Sequence, residues 1–416
     1  MSLHTRRRLL STIAVGGSAA LAGCSTDGLG GDWPQTAETT TDPLPGEERG
    51  WPQFGRTPGH AGFAPEVRVD DPTPAWSVSF DGGLTSPVVV GDRVFIQAGP
   101  GQESDGSGAV LAIDTDGVER WRQELPGSGL GHSGCPPIVH RGSVYIGGLD
   151  GVYALDARDG SPRWSRETDG SVNEAVLGRA GRVFASTGDT LLALDTRGRE
   201  GWTYTTGDDR FSSAVPAAGG GHVLYTTHVL GSVVAVQPDT TGDPSTEWRY
   251  APGETSFDTP TVVDGDAYIP GERLHALSAG TREGSWTAPV RPTAGVSTDG
   301  DRLYFPTEDG SLVALDTADG TEHWRISLAA EKGVFLRTRP LVTDRSVVVT
   351  TEKPQLDERI ETVAVDRESG EIRWRRTQPG NIGYDAVASG GRLYVPVLWA
   401  LTRDQETGGT LVALAD

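Results

Sequence analysis

The sequence predicts an all-β fold, an eight-bladed β-propeller built of four-stranded antiparallel blades. Three observations predict it. Eight tryptophans, Trp76, Trp121, Trp164, Trp202, Trp248, Trp286, Trp324 and Trp374, recur at gaps of 45, 43, 38, 46, 38, 38 and 50 residues, and a period near 40 residues is that of a propeller blade. Each closes a similar phrase, clearest in AVLAIDTDGVERW (109–121), GVYALDARDGSPRW (151–164), TLLALDTRGREGW (190–202), SLVALDTADGTEHW (311–324) and TVAVDRESGEIRW (362–374). The 57 Gly and 27 Pro supply turns for about 32 strands, and no stretch beyond residue 22 carries a long helical period.

Within each phrase, the alternating apolar run ending in Ala-Leu-Asp is a strand. The Asp and the following Gly make a tight turn, and the Trp lies on the next antiparallel strand. Two further strands lie upstream, as in SPVVVGDRVFIQAG (86–99), PPIVHRGSVYIGG (136–148) and LGRAGRVFASTG (177–188). Each period therefore holds four strands. After Trp374 the chain supplies strands near Ala386 to Ala388, Arg392 to Leu398 and Leu411 to Leu414, but no fourth strand bearing a tryptophan. Trp76, in PAWSVSF, has the opposite defect, with no three strands before it. The N-terminal strand around Trp76 is thus expected to complete the last blade, closing the ring and removing the sheet edges there.

The balance of 36 basic to 57 acidic residues gives a net charge of −21, and the only lysines are Lys332 and Lys353. Scattered Asp and Glu with Arg in place of Lys read as a surface built to stay hydrated in high salt. The same balance argues against nucleic acid as a partner, because phosphate neutralisation needs basic patches.

Residues 1–23 read as an export address. Thr5-Arg6-Arg7-Arg8-Leu9-Leu10 resembles a twin-arginine signal, an apolar stretch follows, and Leu21-Ala22-Gly23-Cys24 resembles a lipobox. Cleavage before Cys24 leaves 33 basic against 57 acidic residues, a net of −24, and lipid on Cys24 tethers the chain to the outer face of the cytoplasmic membrane. Residues 24–50 are rich in Thr, Gly, Pro and acid and poor in apolar groups, so they are expected to form a flexible acidic linker in which Trp33 is incidental. The propeller is expected over 51–416.

Other motifs carry little chemistry. With Cys24 acylated, Cys135 has no partner in the chain and reads as a small buried residue. The run Gly129-Leu130-Gly131-His132-Ser133-Gly134 fits G-x-G-x-x-G but precedes a strand instead of linking strand to helix. Asp114-Thr115-Asp116-Gly117, Asp264-Gly265-Asp266 and Asp299-Gly300-Asp301 fall at strand connections, where Asp-Gly is turn chemistry.

The phrase A-x-D-x-x-T/D-G-x-x-x-W, met by Ala154 to Trp164, Ala314 to Trp324 and, with Ser369, Ala364 to Trp374, resembles the tryptophan-docking repeat of quinoprotein dehydrogenases and of the BamB-like lipoproteins. The opening WPQFGRTPGHAG (51–62) is similar to the start of the propeller in the same PQQ-repeat family. The resemblance covers 51–416 and implies an eight-bladed ring in which each indole packs on the neighbouring blade. Ala112 to Trp121 and Ala193 to Trp202 are one residue short of the pattern, and AVQPDTTGDPSTEW (235–248) carries an insertion. These departures fall in turns.

Residues near the starts of the inner strands are expected to line the channel: Ser86, His132, Asn173, Glu174, Arg210, Asp258, Arg337, Arg339, Asn381, Tyr384 and Asp385. Two functions follow from the resemblance. The favoured expectation is a membrane-tethered, non-catalytic propeller that needs no cofactor and holds a protein partner at its loops or channel mouth. The alternative is a PQQ- and calcium-dependent oxidoreductase acting on an alcohol or sugar. In that reading Glu174, Asn173 and Asp258 hold calcium through hard oxygen ligands, Asp258 and Glu174 serve in catalysis, and Asn173, Arg337 and Arg339 meet the quinone. The adjacent cysteine pair that such enzymes place above the quinone is missing from this sequence.

Overall fold

The computed structural model describes residues 33–99, 108–125, 136–177, 181–207, 209–211, 215–227, 231–238, 244–254, 257–329, 334–352, 359–380, 382–399 and 408–416. Cys24, His132, Cys135 and Asn381 lie outside them. The described chain folds into eight sheets of antiparallel blades, the seventh of which adds Phe63–Ala64 as a parallel edge strand beside Leu341–Thr343. The first blade pairs Val88–Val90, Arg93–Ala98, Ala109–Asp114 and Glu119–Glu124 in that order, and six more follow along the chain. The eighth is composite. Val387–Ser389, Arg392–Trp399 and Gly408–Ala415 take Thr73–Phe80 as their outer strand, with Trp76 opposite Ala413. The short first strands of the first and eighth blades also touch, so the ring closes where the sequence predicts. A short 3-10 turn lies at Glu47–Arg49.

One cross-strand row explains why the repeat holds. In all eight blades the tryptophan stands opposite an alanine on the neighbouring strand: Ala112, Ala154, Ala193, Ala235, Ala276, Ala314, Ala364 and Ala413. A β-bulge follows each pair. In six blades the residue across from that alanine on the second strand is aromatic, and it meets the indole with centroids 5.7–6.2 Å apart, as in Phe95 with Trp121 and Tyr394 with Trp76. The methyl side chain between them is small enough to let two large rings touch. Such pairs contribute about 0.5–1.5 kcal/mol beyond their buried area.

The indole nitrogens then join the blades. Trp76 donates to the Thr115 carbonyl, Trp121 to Ala157, Trp164 to Thr196, Trp202 to Pro238, Trp248 to Ala279, Trp286 to Thr317, Trp324 to Arg367 and Trp374 to Val69, at 2.7–3.3 Å. Each acceptor belongs to the next blade around the ring or, for Val69, to the chain leading into it. The Asp-Gly turn is shaped for this contact. Asp114 Oδ1 accepts the backbone N–H groups of Asp116 and Val118, and Gly160, at φ +76°, carries the Trp121 ring so closely that a Cβ would sit 2.6 Å from it. The one-residue-short phrases keep that geometry with a tighter turn: Gly117 bonds back to Asp114, three residues away, whereas Gly160 bonds to Asp156, four away.

The N-terminal segment departs from expectation. Residues 33–50 are packed on the ring instead of forming a free linker. Trp33 meets Tyr153 edge-on at 5.2 Å, the Pro34 carbonyl accepts from Ser165 N–H, Ala37 N–H donates to Arg197, and Glu47 accepts from the backbone N–H groups of Arg141 and Gly142. Backbone pairing and three apolar contacts, through Trp33, Ala37 and Leu44, outweigh a composition that by itself reads as disordered.

Residues 51–62 then cross the middle of the ring. Their carbonyls and those of neighbouring positions cap the inner strands one after another: Trp51 accepts from Val89, Pro52 from Val139, Pro58 from Ala218, Gly59 from Val262, Ala61 from Thr298 and Gly62 from Val342. Six blades thus have an inner-edge N–H satisfied by one strap. Gly59 fits because a Cβ there would lie 1.9 Å from the Val262 carbonyl oxygen.

Candidate functional site

Above this strap lies a cavity of about 290 Å³, lined by Phe54, Ser86, Pro136, Asp258, Thr259, Thr293, Ala294, Gly295, Arg337, Arg339, Tyr384 and Asp385. Six of the residues expected at the channel, Ser86, Asp258, Arg337, Arg339, Tyr384 and Asp385, are therefore gathered in one place. They come from the connections that lead into the inner strands, which is why residues far apart in sequence converge. Asn173 and Glu174 lie on the inner strand of the third blade, Val172–Leu177, with side chains outside the described residues. Arg210 is placed elsewhere. It borders a wider depression of about 1120 Å³ between the second and third blades, together with Arg166, Glu167, Asp169, Asp189 and Glu200.

Arg339 is the centre of the cavity floor. It is 4% exposed, its Nη1 donates to the carbonyls of His60 and Val296 at 2.6 Å and to Thr261 Oγ1 at 3.3 Å, and its guanidinium lies 5.0 Å from the centre of the Phe54 ring. Burial pulls its pKa down to about 10 despite the neighbouring charges of Asp385 and Asp258. The Nε and Nη2 groups have no hydrogen-bond partner. They face Gly295, where a Cβ would sit 2.3 Å from Nη2.

Asp385 accepts the Arg339 backbone N–H at 2.8 Å. Burial raises its carboxyl to about 6, Asp258 adds to the rise, and Arg339 opposes it. Asp258 is exposed at the rim and accepts Thr259 N–H at 2.6 Å. Arg337 stands over Phe335 at 4.7 Å and 4.0 Å from Glu352, whose carboxyl is itself raised by burial. Beneath the floor, burial first and Arg339 second hold His60 down to about 3, so it is neutral; its Nδ1–H donates to the Pro260 carbonyl at 3.1 Å.

A second cluster escaped sequence reasoning. Glu254, His275 and Tyr250 form a relay at the fourth and fifth blades, with His275 Nε2 2.8 Å from Glu254 Oε1 and Nδ1 3.0 Å from the Tyr250 hydroxyl. Glu254 also accepts Glu272 N–H and Arg273 Nε–H. Burial raises the Tyr250 phenol, which opposes nucleophilic use, so the relay ties two loops together. The dispersal of these residues over 25 positions left no spacing to recognise.

Among the described residues no group of three His, Cys, Asp or Glu side chains comes together as a metal site, and no helix is long and apolar enough to cross a membrane. Asp114 and Asp299 act as the turn residues their Asp-Gly contexts predict: Asp299 Oδ1 accepts the backbone N–H groups of Asp301 and Arg302.

Comparison with known proteins fits this architecture. The family model described as "Outer membrane protein assembly factor BamB" matches residues 106–243 and 270–390, more than half of the chain. The chain is 27% identical over 353 residues to quinohemoprotein alcohol dehydrogenase ADH-IIG of Pseudomonas putida, covering 76% of this chain and 43% of that protein, less than half of its length. It is 25% identical over 360 residues to the outer membrane protein assembly factor BamB of Yersinia pestis, covering 79% and 84%. The crystal structure of BamB from Moraxella catarrhalis superposes with a TM-score of 0.60 at 20% identity, over 83% of this chain and 98% of that one. Eight four-stranded blades, eight tryptophans docked blade to blade, and a family match over most of the ring agree: the chain belongs to the BamB-like family of PQQ-repeat β-propellers.

Proposed function

We propose that this chain is a membrane-tethered, cell-surface propeller that acts as a non-catalytic scaffold, holding or assembling a protein partner in the manner that the name of its BamB relatives describes. The observation that carries the reading is the closure of the channel from within. Residues 51–62 cap six inner strands, and Arg339 directs one arm of its guanidinium at the chain's own carbonyls. Residues 33–50 cover the turns at Arg141, Gly142 and Arg197, so the partner meets the opposite face, where the cavity and the exposed Phe335 and Arg337 lie. Lipid on Cys24 supplies the tether, and a net charge of −24 on the cleaved chain keeps the surface hydrated at high salt.

The test is chemical cross-linking in membranes followed by detergent solubilisation and affinity recovery, run in parallel with the Phe335→Glu/Arg337→Glu double variant. A specific protein recovered with the parent chain and lost with the variant supports the scaffold; recovery of no specific protein from the parent chain overturns it.

The second reading is the PQQ- and calcium-dependent oxidoreductase. In its favour, Asp258, Arg337 and Arg339 share one cavity. The other two calcium ligands of that reading, Asn173 and Glu174, carry side chains outside the described residues. The floor aromatic, Phe54, carries the Arg339 guanidinium 5.0 Å from its ring centre. Asp385 is bonded to the backbone of Arg339, and no three metal-ligating side chains meet among the described residues.

A further inference from the structure

Packing against Gly295 seals the Nε and Nη2 edge of Arg339, so the polar atoms left to the cavity are chiefly oxygens. Asp385 gives one carboxylate oxygen to the Arg339 backbone, and Asp258 gives one to Thr259 N–H. The second oxygen of each is unbonded. The two carboxyls stand near enough for the charge of Asp258 to raise the pKa of Asp385. Ser86, 7% exposed, lines the same wall, and its hydroxyl has no hydrogen bond among the described residues. Polar side chains buried to that degree are normally bonded, so this hydroxyl marks the place of a missing partner. Beside these oxygens the lining turns apolar at Pro136 and Ala294.

We infer that the cavity is a binding site for a primary alkylammonium group, with the ammonium head on Asp385, Asp258 and the Ser86 hydroxyl and the carbon chain along Pro136 and Ala294. An ammonium head carries three N–H donors and no acceptor, and three residues here offer it free oxygens. Calcium takes about six to eight oxygen ligands, and no three metal-ligating side chains meet among the described residues. An anion would face two carboxylates, with Arg339 sealed and Arg337 held over Phe335 and toward Glu352. A volume of about 290 Å³ accommodates a short-chain amine or the side chain of a lysine. The inference goes beyond the scaffold reading and does not depend on it: the ammonium site is read by calorimetry on the isolated chain, the scaffold by cross-linking in membranes.

The test titrates the full chain, in the salt at which it is folded, with n-butylammonium, tetramethylammonium and butyrate. Tetramethylammonium has the charge without the N–H donors, and a charge-assisted hydrogen bond is worth about ten-fold or more in affinity. n-Butylammonium is therefore expected to bind about ten-fold or more tightly than tetramethylammonium, and butyrate not at all. Asp258→Asn keeps an oxygen for Thr259 N–H at an exposed position, so it is expected to fold like the parent chain and to bind n-butylammonium about ten-fold more weakly. Ser86→Ala is expected to weaken binding by a smaller factor, about five-fold. A further titration with Nα-acetyl-lysine methylamide separates the two sources of the group: binding at least as tight as n-butylammonium assigns the site to a protein's lysine, and weaker binding assigns it to a free amine. No binding of n-butylammonium, affinity equal to that of tetramethylammonium, or undiminished affinity in Asp258→Asn overturns the inference.

Discussion

The indole Nε1 of Trp76 donates a 2.7 Å hydrogen bond to the carbonyl of Thr115, joining the eighth blade to the first. Residue 76 belongs to a strand contributed by the N-terminus and residue 115 to a turn of the first complete blade, so one contact bridges the seam at which the two ends of the chain meet. Trp76 also packs on Tyr394 at 5.9 Å within its own composite blade. Trp76→Ala removes both contacts and is expected to destabilise the ring by about 3 kcal/mol. Hydrogen exchange should show Thr73–Phe80 and Gly408–Ala415 opening before the other blades.

The glycine of the docking turn is set by the indole as well as by backbone conformation. Gly160 and Gly391 have almost the same φ, +76° and +75°, but only Gly160 has a neighbour within reach of a Cβ, the Trp121 ring. Gly391→Ala is expected to cost about 1 kcal/mol from backbone strain alone. Gly160→Ala adds a clash of about 1–3 kcal/mol. Equal midpoints in chemical denaturation for the two variants would remove the packing explanation for the motif.

His60 gives stability a pH dependence with a definite sign. Its folded pKa is depressed to about 3 from an ordinary 6.5, so the unfolded chain binds a proton that the folded chain refuses. The stabilisation is complete above 6.5 and falls as pH drops toward 3, with a limiting slope of about 1.4 kcal/mol per pH unit. His60→Gln should flatten that part of the stability curve measured against the parent chain; an unchanged slope would mean the imidazole is free to charge.

Arg339 holds the floor of the cavity. Replacing it with Leu leaves the His60 and Val296 carbonyls without their donor and Asp385 without the opposing charge that lowers its pKa. Leaving a buried carbonyl without its donor costs about 1–3 kcal/mol. In Arg339→Leu the Asp385 carboxyl is expected to titrate above the value of about 6 that it has in the parent, which carbonyl NMR of selectively labelled aspartate reads directly.

The strap predicts a protection pattern. The amides of Val89, Val139, Ala218, Val262, Thr298 and Val342 are bonded to residues 51–62 and their immediate neighbours, and they should exchange as slowly as blade-core amides. Their exchange should accelerate together in a chain lacking residues 33–62.

The blade pattern was legible because it is carried by side chains at a fixed period. Alanine, Asp-Gly and tryptophan recur in phase, and the missing outer strand after Trp374 could be matched to the surplus strand at Trp76. The channel wall was legible in part for a related reason: each inner strand begins at a predictable point, which located Ser86, Asp258, Arg337, Arg339, Tyr384 and Asp385 without showing how they engage one another. The strap at 51–62 and the packed segment at 33–50 were not legible. Their contacts are made chiefly by backbone carbonyls and amides, which every residue possesses, so the phrase at 51–62 marked the start of the propeller without showing what it bonds. For the same reason Gly295 and His60 drew no notice; their roles depend on a guanidinium delivered from position 339.

The measurement that bears most directly on the scaffold reading is reconstitution. The purified chain is incubated with PQQ and calcium, separated from free quinone, and assayed by quinone absorbance together with dye-linked oxidation of alcohols and glucose. The account predicts no retained quinone and no calcium-dependent turnover. Stoichiometric quinone retention with turnover that needs calcium would contradict it and would make the cavity a dehydrogenase active site.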